Sequence, residues 1–193
     1  MGHSKAEKDE SHNRIVDVAA ARFREAGIEG IGVADLMKDA GLTHGGFYRH
    51  FGSREELVAE AVERALRDGS QAVDALQKLP QSPSAVLALL VDGFLSLAHR
   101  DSLATSCAVT TLAGDVARSN ERARSAYTGQ VGKYLELLVK LIASDKHKAR
   151  RAKAIAALAT LVGAVSMARA VNDDQLSREI LKSAADELKA HLG

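Results

Sequence analysis

The sequence predicts an all-α fold of about nine helices, and three observations carry that reading. Aromatic residues make up only 4% of the chain and tryptophan is absent, while hydrophobic residues reach 46%. Ala, Leu and Val must therefore fill the interior, which suits closely packed helices better than a β-sandwich. The only prolines, Pro80 and Pro83, lie three apart and mark a single break. Apolar residues recur at helical spacing along nearly the whole chain, with no strand-like alternation, no internal repeat and no low-complexity tract.

In order, Ile15, Val18, Ala19, Phe23 and Ala26 predict a helix over about Ser11 to Ala26, stopped by Gly27. Val33, Leu36, Met37 and Ala40 share one face of a second, short helix that Gly41 ends. A third short helix is expected from Thr43, as N-cap, to His50. Ser53 and Glu56 have the spacing of a capping box. They open a long helix reaching about Leu79, with Leu57, Ala61, Ala65, Leu66, Val73 and Leu76 as its apolar positions. Ser82 followed by Pro83 signals the next helix, to about His99. Further helices are expected at about 106–117, 119–143, 147–171 and 174–191, the last capped by Asn172 or Asp173.

Composition narrows the class. A single cysteine, Cys107, rules out an intrachain disulfide and favours the cytosol. The N-terminal stretch MGHSKAEKDESHNR has no apolar centre for a signal peptide. The longest uncharged run, Ala154 to Ala168, falls short of the ~20 residues a membrane helix needs. Net charge is only +1, and residues 1–54 carry eight basic and eight acidic side chains. Any nucleic-acid signal must therefore lie in local placement.

Such a signal appears in GLTHGGFYRHF, Gly41 to Phe51. Two short helices joined by a glycine-containing turn are a helix-turn-helix signature, and the second helix is the candidate reader of the DNA major groove. Gly45 and Gly46 remove side-chain bulk where the reading segment would meet the duplex. Thr43, Tyr48 and His50 can hydrogen-bond phosphate oxygens. Arg49 can reach a guanine edge with two hydrogen bonds, and His44 a base or a phosphate. Phe47 and Phe51 should turn inward to pack with Phe23 and Leu36. A merely structural helix would be a poor use of two glycines, each costing about 1 kcal/mol relative to Ala.

The segment VADLMKDAGLTHGGFYRHFGSREELV resembles the DNA-binding segment of the tetracycline-repressor-like (TetR) family of bacterial transcriptional regulators. The resemblance is close over about residues 14–62; beyond them it extends only to helical layout and length. It implies a helix-turn-helix DNA-binding domain at 1–53, a linking helix at about 53–79, and a ligand-binding and dimerisation domain at 80–193. It also implies a homodimer on a palindromic operator, released by an effector. By matching positions, Thr43, Tyr48 and His50 fall where the family touches phosphate, His44, Gly45 and Arg49 where it faces bases, and Arg54 where it again meets the backbone. One departure is Gly32, at a position where the family usually carries Ser or Thr.

The ligand half carries no motif. Polar or soft residues on apolar faces are the candidates: Phe94, His99, Cys107, Thr110, Tyr127, Tyr134, Met167 and Arg169. For most of them core packing is the stronger reading. Cys107 begins CAVTTLAGDVA, and a long helix starting there would favour its thiolate. SCAVTTLAGDVA also resembles the segment where part of the family carries a cysteine, including members that sense electrophiles and oxidants. Arg169 could stabilise such a thiolate, or pair with an acid such as Asp115 or Asp173. The basic run KHKARRAK, 146–153, reads as a solvated first turn. The apolar, Ala-rich helix after it, which should be buried on most faces, and the final helix are the dimer candidates. No Cys/His cluster suggests a metal, no cofactor is implied, and no nucleophile elbow, glycine-rich phosphate loop or carboxylate pair suggests an enzyme. The expectation is a ligand-responsive repressor. The rival is a helical effector-binding module without DNA binding, which the near-neutral head keeps open.

Overall fold

The computed structural model describes residues 5–142 and 147–192. Among the described residues there are ten α-helices, two 3-10 segments and no strand. The chain divides into two compact units: residues 1–68 with 103–128, and residues 69–102 with 129–193.

The first unit begins with α1, Lys5–Ala26. This helix starts earlier than its apolar periodicity suggests, because KAEKDE consists of good helix formers with no apolar stripe to reveal them. Gly27 ends it with φ +78°, its amide donating to the Phe23 carbonyl. Helix α2 is Val33–Asp39. Gly41, at φ +73°, closes it: the Gly41 amide reaches the Lys38 carbonyl and the Leu42 amide the Met37 carbonyl. That pair of bonds is a Schellman turn, which favours glycine at the left-handed position.

The segment after this turn, His44–Arg49, is a 3-10 helix rather than the expected α-helix. Two glycines in six residues weaken α-helical propensity, and so short a segment recovers little of its nucleation cost. Helix α3, Arg54–Gln77, follows. The serine half of its capping box forms, the Glu56 amide donating to Ser53 Oγ at 3.2 Å, while Glu56 Oε2 accepts from the Gly52 amide at 2.7 Å, one residue before the N-cap. The core of this unit gathers Ile15, Ala19, Phe23, Leu36, Met37, Phe47, Phe51 and Leu57, all essentially inaccessible to solvent. Burying each large apolar side chain contributes about 1.5–3 kcal/mol.

The region expected as one helix at 106–117 is broken. It forms a 3-10 segment, Leu103–Thr105, then α6, Ala108–Thr111, and α7, Ala113–Val116. The 3-10 segment and α6 lie against α1. Helix α8, Glu121–Leu141, gives its first residues to this unit and the rest to the other.

The second unit contains α4, Pro83–Phe94, and α5, Leu97–Asp101, where a single helix to His99 was expected. Ser82 caps α4 by accepting from the Ala85 amide. Ser96 caps α5 by accepting from the His99 amide, and this second cap divides the expected helix. Helices α9, His147–Ala170, and α10, Asp174–Leu192, complete it. Asp173 caps α10 through the Leu176 amide. Leu87, Leu137, Leu138, Leu161, Val165 and Leu181 form its core. Helix α9 buries one face there and leaves the opposite face exposed, so its all-round apolar character does not reflect burial on most faces within one chain.

Candidate nucleic-acid interface

Within the first unit, α1, α2 and α3 hold the 3-10 segment from behind. Phe47 stacks on Phe51 with ring centroids 5.4 Å apart, and both rings are buried. His12 of α1 stacks on the other side of Phe51 at 4.5 Å, and its Nε2 lies 2.7 Å from Glu60 Oε2 of α3. With two aromatic anchors fixed, the intervening residues must face outward. Thr43, His44, Gly45, Tyr48 and Arg49 are all exposed, and Tyr48 is 75% exposed with its ring edge against Phe47.

Gly45 has no structural reason of its own. Its φ is not positive, and a Cβ added there would meet nothing within 4 Å. A Cβ on Gly46 would make only ordinary contacts with Met37 and Thr43.

One expectation at this surface, the Thr43 side-chain cap, needs correction, and two other residues have surroundings the sequence does not show. Thr43 occupies the N-cap position, but its side chain makes no cap hydrogen bond; its carbonyl accepts from the Gly46 amide instead. Its hydroxyl is thus not spent on the cap. Arg54 is engaged within the fold: its guanidinium donates to Glu29 Oε1 at 3.0 Å and to the carbonyls of Ile28 and Ile31 at 2.5 and 3.4 Å. It fastens the α1–α2 loop, and this competes with the expected backbone contact. His50 is half-buried, with Nδ1 buried and making no hydrogen bond. Burial, then the nearby His12, Lys8 and Arg49, push its pKa below the usual imidazole value.

Several positioning residues left no sequence signal. Arg24 of α1 is buried and donates to Asp68 Oδ2 at 2.7 Å and to the Ala65 carbonyl, fixing α1 on α3. Asn120 caps α8 through the Ala123 amide and also donates to the Glu55 carbonyl at 3.0 Å. Arg122 makes a two-pronged bond to Glu63, 2.7 Å on each side. Only the cap could have been read from the sequence.

The candidate ligand residues fall into both units. In the first, Cys107 is half-buried at the N-cap of α6, which is four residues long. So short a helix cannot supply the dipole that the expected long one would. Tyr127 donates its hydroxyl to the Val109 carbonyl at 2.7 Å, and burial, with a smaller push from Cys107, raises its pKa. Thr110 is buried, and its Oγ1 has no hydrogen-bond partner.

In the second unit, His99 Nδ1 donates to the Phe94 carbonyl at 2.5 Å and its ring lies 4.7 Å from that of Phe94. Arg169 donates to the carbonyls of His99 and Arg100 at 2.7 and 2.9 Å, so it holds the end of α5. Tyr134 packs so closely over Gly69 that a Cβ there would sit 2.5 Å from its hydroxyl. Met167 is 55% exposed on the outer face of α9, which removes it from any enclosed pocket. In the run KHKARRAK, Lys146 lies outside the described residues, and most of the rest is solvent-exposed as a first turn should be.

An all-helical chain with two short helical segments on a glycine turn, and an exposed Tyr-Arg pair on the second, is a helix-turn-helix protein. Residues 15–61 match the family of bacterial regulatory proteins described as tetR. The chain is 31% identical over 85 residues to the HTH-type transcriptional regulator AcrR of Shigella flexneri, covering 44% of this chain and 40% of that one. It is 41% identical over 46 residues to the HTH-type transcriptional repressor KstR2 of Mycobacterium tuberculosis, covering 24% and 23%. The chain thus spans half or less of the length of the curated relatives it matches. Among solved structures, a TetR transcriptional regulator from Chloroflexus aurantiacus superposes with TM-score 0.80 at 25% identity, covering 96% of this chain and 95% of that one. The reduced form of Escherichia coli NemR has the same fold, with TM-score 0.80 at 19% identity over 95% and 97% of the two chains. Residues 15–61 thus carry a TetR-type DNA-binding domain, and the chain as a whole shares its fold with the TetR regulator from Chloroflexus aurantiacus.

Proposed function

We propose that this protein is a cytoplasmic transcriptional repressor. It binds a palindromic DNA operator as a homodimer and is released by a small-molecule or thiol-reactive effector. The observation that carries the DNA-binding reading is the exposed surface Thr43–Arg49, held rigidly by buried Phe47 and Phe51 and left bare at Gly45 without internal need. Arg49 is the base reader; Tyr48 and Thr43 hold phosphate; His44 reaches a base or phosphate; the glycines allow close backbone approach. The names of the relatives, a regulator and a repressor, agree with this reading.

The test is binding of the purified chain to the DNA flanking its own gene, by fluorescence anisotropy, against random duplex. Tight, salt-sensitive binding to a near-palindrome supports the reading. Equal, weak binding to all DNA rejects it in favour of an effector-binding module without an operator.

For the effector, Cys107 supplies a separate test. Stoichiometric maleimide should release wild type from the operator and leave Cys107→Ser bound. A thiol that is labelled without loss of DNA binding assigns release to non-covalent ligands alone.

A further inference from the structure

The first two turns of α1 lie outside the 15–61 family match, yet they stand beside the DNA-reading surface. Lys8 and Ser11 line one wall of an open cleft of about 290 Å³, and Thr43, Gly46, Arg49 and His50 line the other. We propose that this cleft seats one backbone phosphate of the DNA, held by Lys8 and Ser11 of α1 together with Thr43. The inference rests on the DNA-binding reading above and extends the interface to a helix that reading does not include.

Four features support it. The cleft is roomy enough for a phosphate and its waters, and Gly46 leaves its floor without a side chain. Its donors are varied: an ammonium and two hydroxyls line it, from α1 and from the start of the 3-10 segment. Lys8 and Arg49 are both close enough to depress protonation of His50, so the positive field of the cleft reaches the reading segment. The Ser11 hydroxyl accepts from Arg14 at 3.4 Å, which leaves its own proton to donate. Glu7 also lines the cleft, and its carboxylate would oppose a phosphate. That opposition makes the site adjustable rather than absent: the two side chains of one helical turn set its net charge.

A phosphate contact carries no sequence information, so a random duplex of about 30 base pairs is a sufficient probe. Affinity is measured by anisotropy across a salt series for wild type, Lys8→Ala, Lys8→Arg, Glu7→Gln and Lys182→Ala. Lys182 is an exposed residue of α10, so its removal controls for bulk charge. Lys8→Ala should lower the slope of log K against log salt by about 0.9 per head. It should weaken random and operator DNA by the same factor. Lys8→Arg should keep the wild-type slope, Glu7→Gln should tighten binding, and Lys182→Ala should change nothing. Lys8 is exposed, so its substitution leaves the fold intact, as circular dichroism would verify. A wild-type slope in Lys8→Ala, beside salt-dependent duplex binding by both proteins, would overturn this inference while sparing the DNA-binding reading. A wild type that binds no duplex would overturn both.

Discussion

Gly41 and Gly45 stand four residues apart and answer to different demands, and substitution separates them. At Gly41 the backbone is left-handed, and a Cβ there would meet nothing within 4 Å. Gly41→Ala therefore costs backbone strain alone, about 1–2 kcal/mol, read as a lower thermal midpoint. At Gly45 neither strain nor contact opposes a side chain. Gly45→Ala should leave the midpoint unchanged or raise it, since fewer unfolded conformations are lost on folding, yet it should weaken operator binding. A Gly45→Ala protein with wild-type DNA affinity would show that the bare surface is not a contact surface. Arg49→Ala should cost roughly 1–3 kcal/mol on operator DNA and relax preference at one base pair per half-site. Equal loss on random and operator DNA would assign base reading to another residue. The residues of this surface were legible in the sequence because aromatic, glycine and basic types alternate there at short range. The internal engagement of Arg54 and the burial of His50 Nδ1 were not, because both depend on residues 23 or more positions away.

Three side-chain caps at helix starts were legible in the sequence, and breaks inside a continuous apolar run were not, even where a serine caps the second piece. Ser53, Ser82 and Asp173 each accept the backbone amide the sequence pattern promised. Ser53→Ala should therefore destabilise the protein by about 1 kcal/mol, measurable as a lower urea midpoint at unchanged slope. By contrast, Ser96 and Leu112 interrupt apolar runs whose spacing remains helical on both sides, so periodicity joins what the chain divides. The corner between α4 and α5 has a consequence for acid stability. Burial, then the Arg169 charge, lowers the His99 pKa, while the hydrogen bond to the Phe94 carbonyl opposes the shift. With the folded value below the unfolded one near 6.5, the unfolded chain takes up the proton first. Stability is thus intact above pH 6.5 and declines as pH falls below it. Thermal midpoints measured from pH 7.5 to 5.5 should fall in wild type and fall less in His99→Gln; equal declines would remove His99 from the cause.

At the scale of the whole molecule, α9 is the candidate dimer face. Its inner face, with Ala154, Ala157, Leu158, Leu161, Ala164, Val165 and Ala168, fills the core of the second unit. Its outer face presents Ala152, Ile155, Ala156, Ala159, Ser166, Met167 and Ala170 to solvent, with Ile155 50% exposed. Large apolar side chains among small ones make a poor water-facing surface and a good helix-packing one, because small residues let a second helix approach closely. Leu176 of α10 is exposed as well. This face is what a second copy of the chain would cover. Light scattering at micromolar concentration should give about twice the 20.5 kDa of one chain. Ala159→Arg and Met167→Glu, both at exposed positions, should leave the thermal unfolding of the monomer cooperative but return the mass to that of one chain. Because a dimer engages two half-sites about one helical turn apart or somewhat more, each monomeric variant should lose most of its operator affinity while keeping its weak affinity for random duplex. A wild-type chain that is monomeric and still binds its operator with full affinity would break the link between this face and DNA recognition, and the exposed stripe of α9 would then need another occupant.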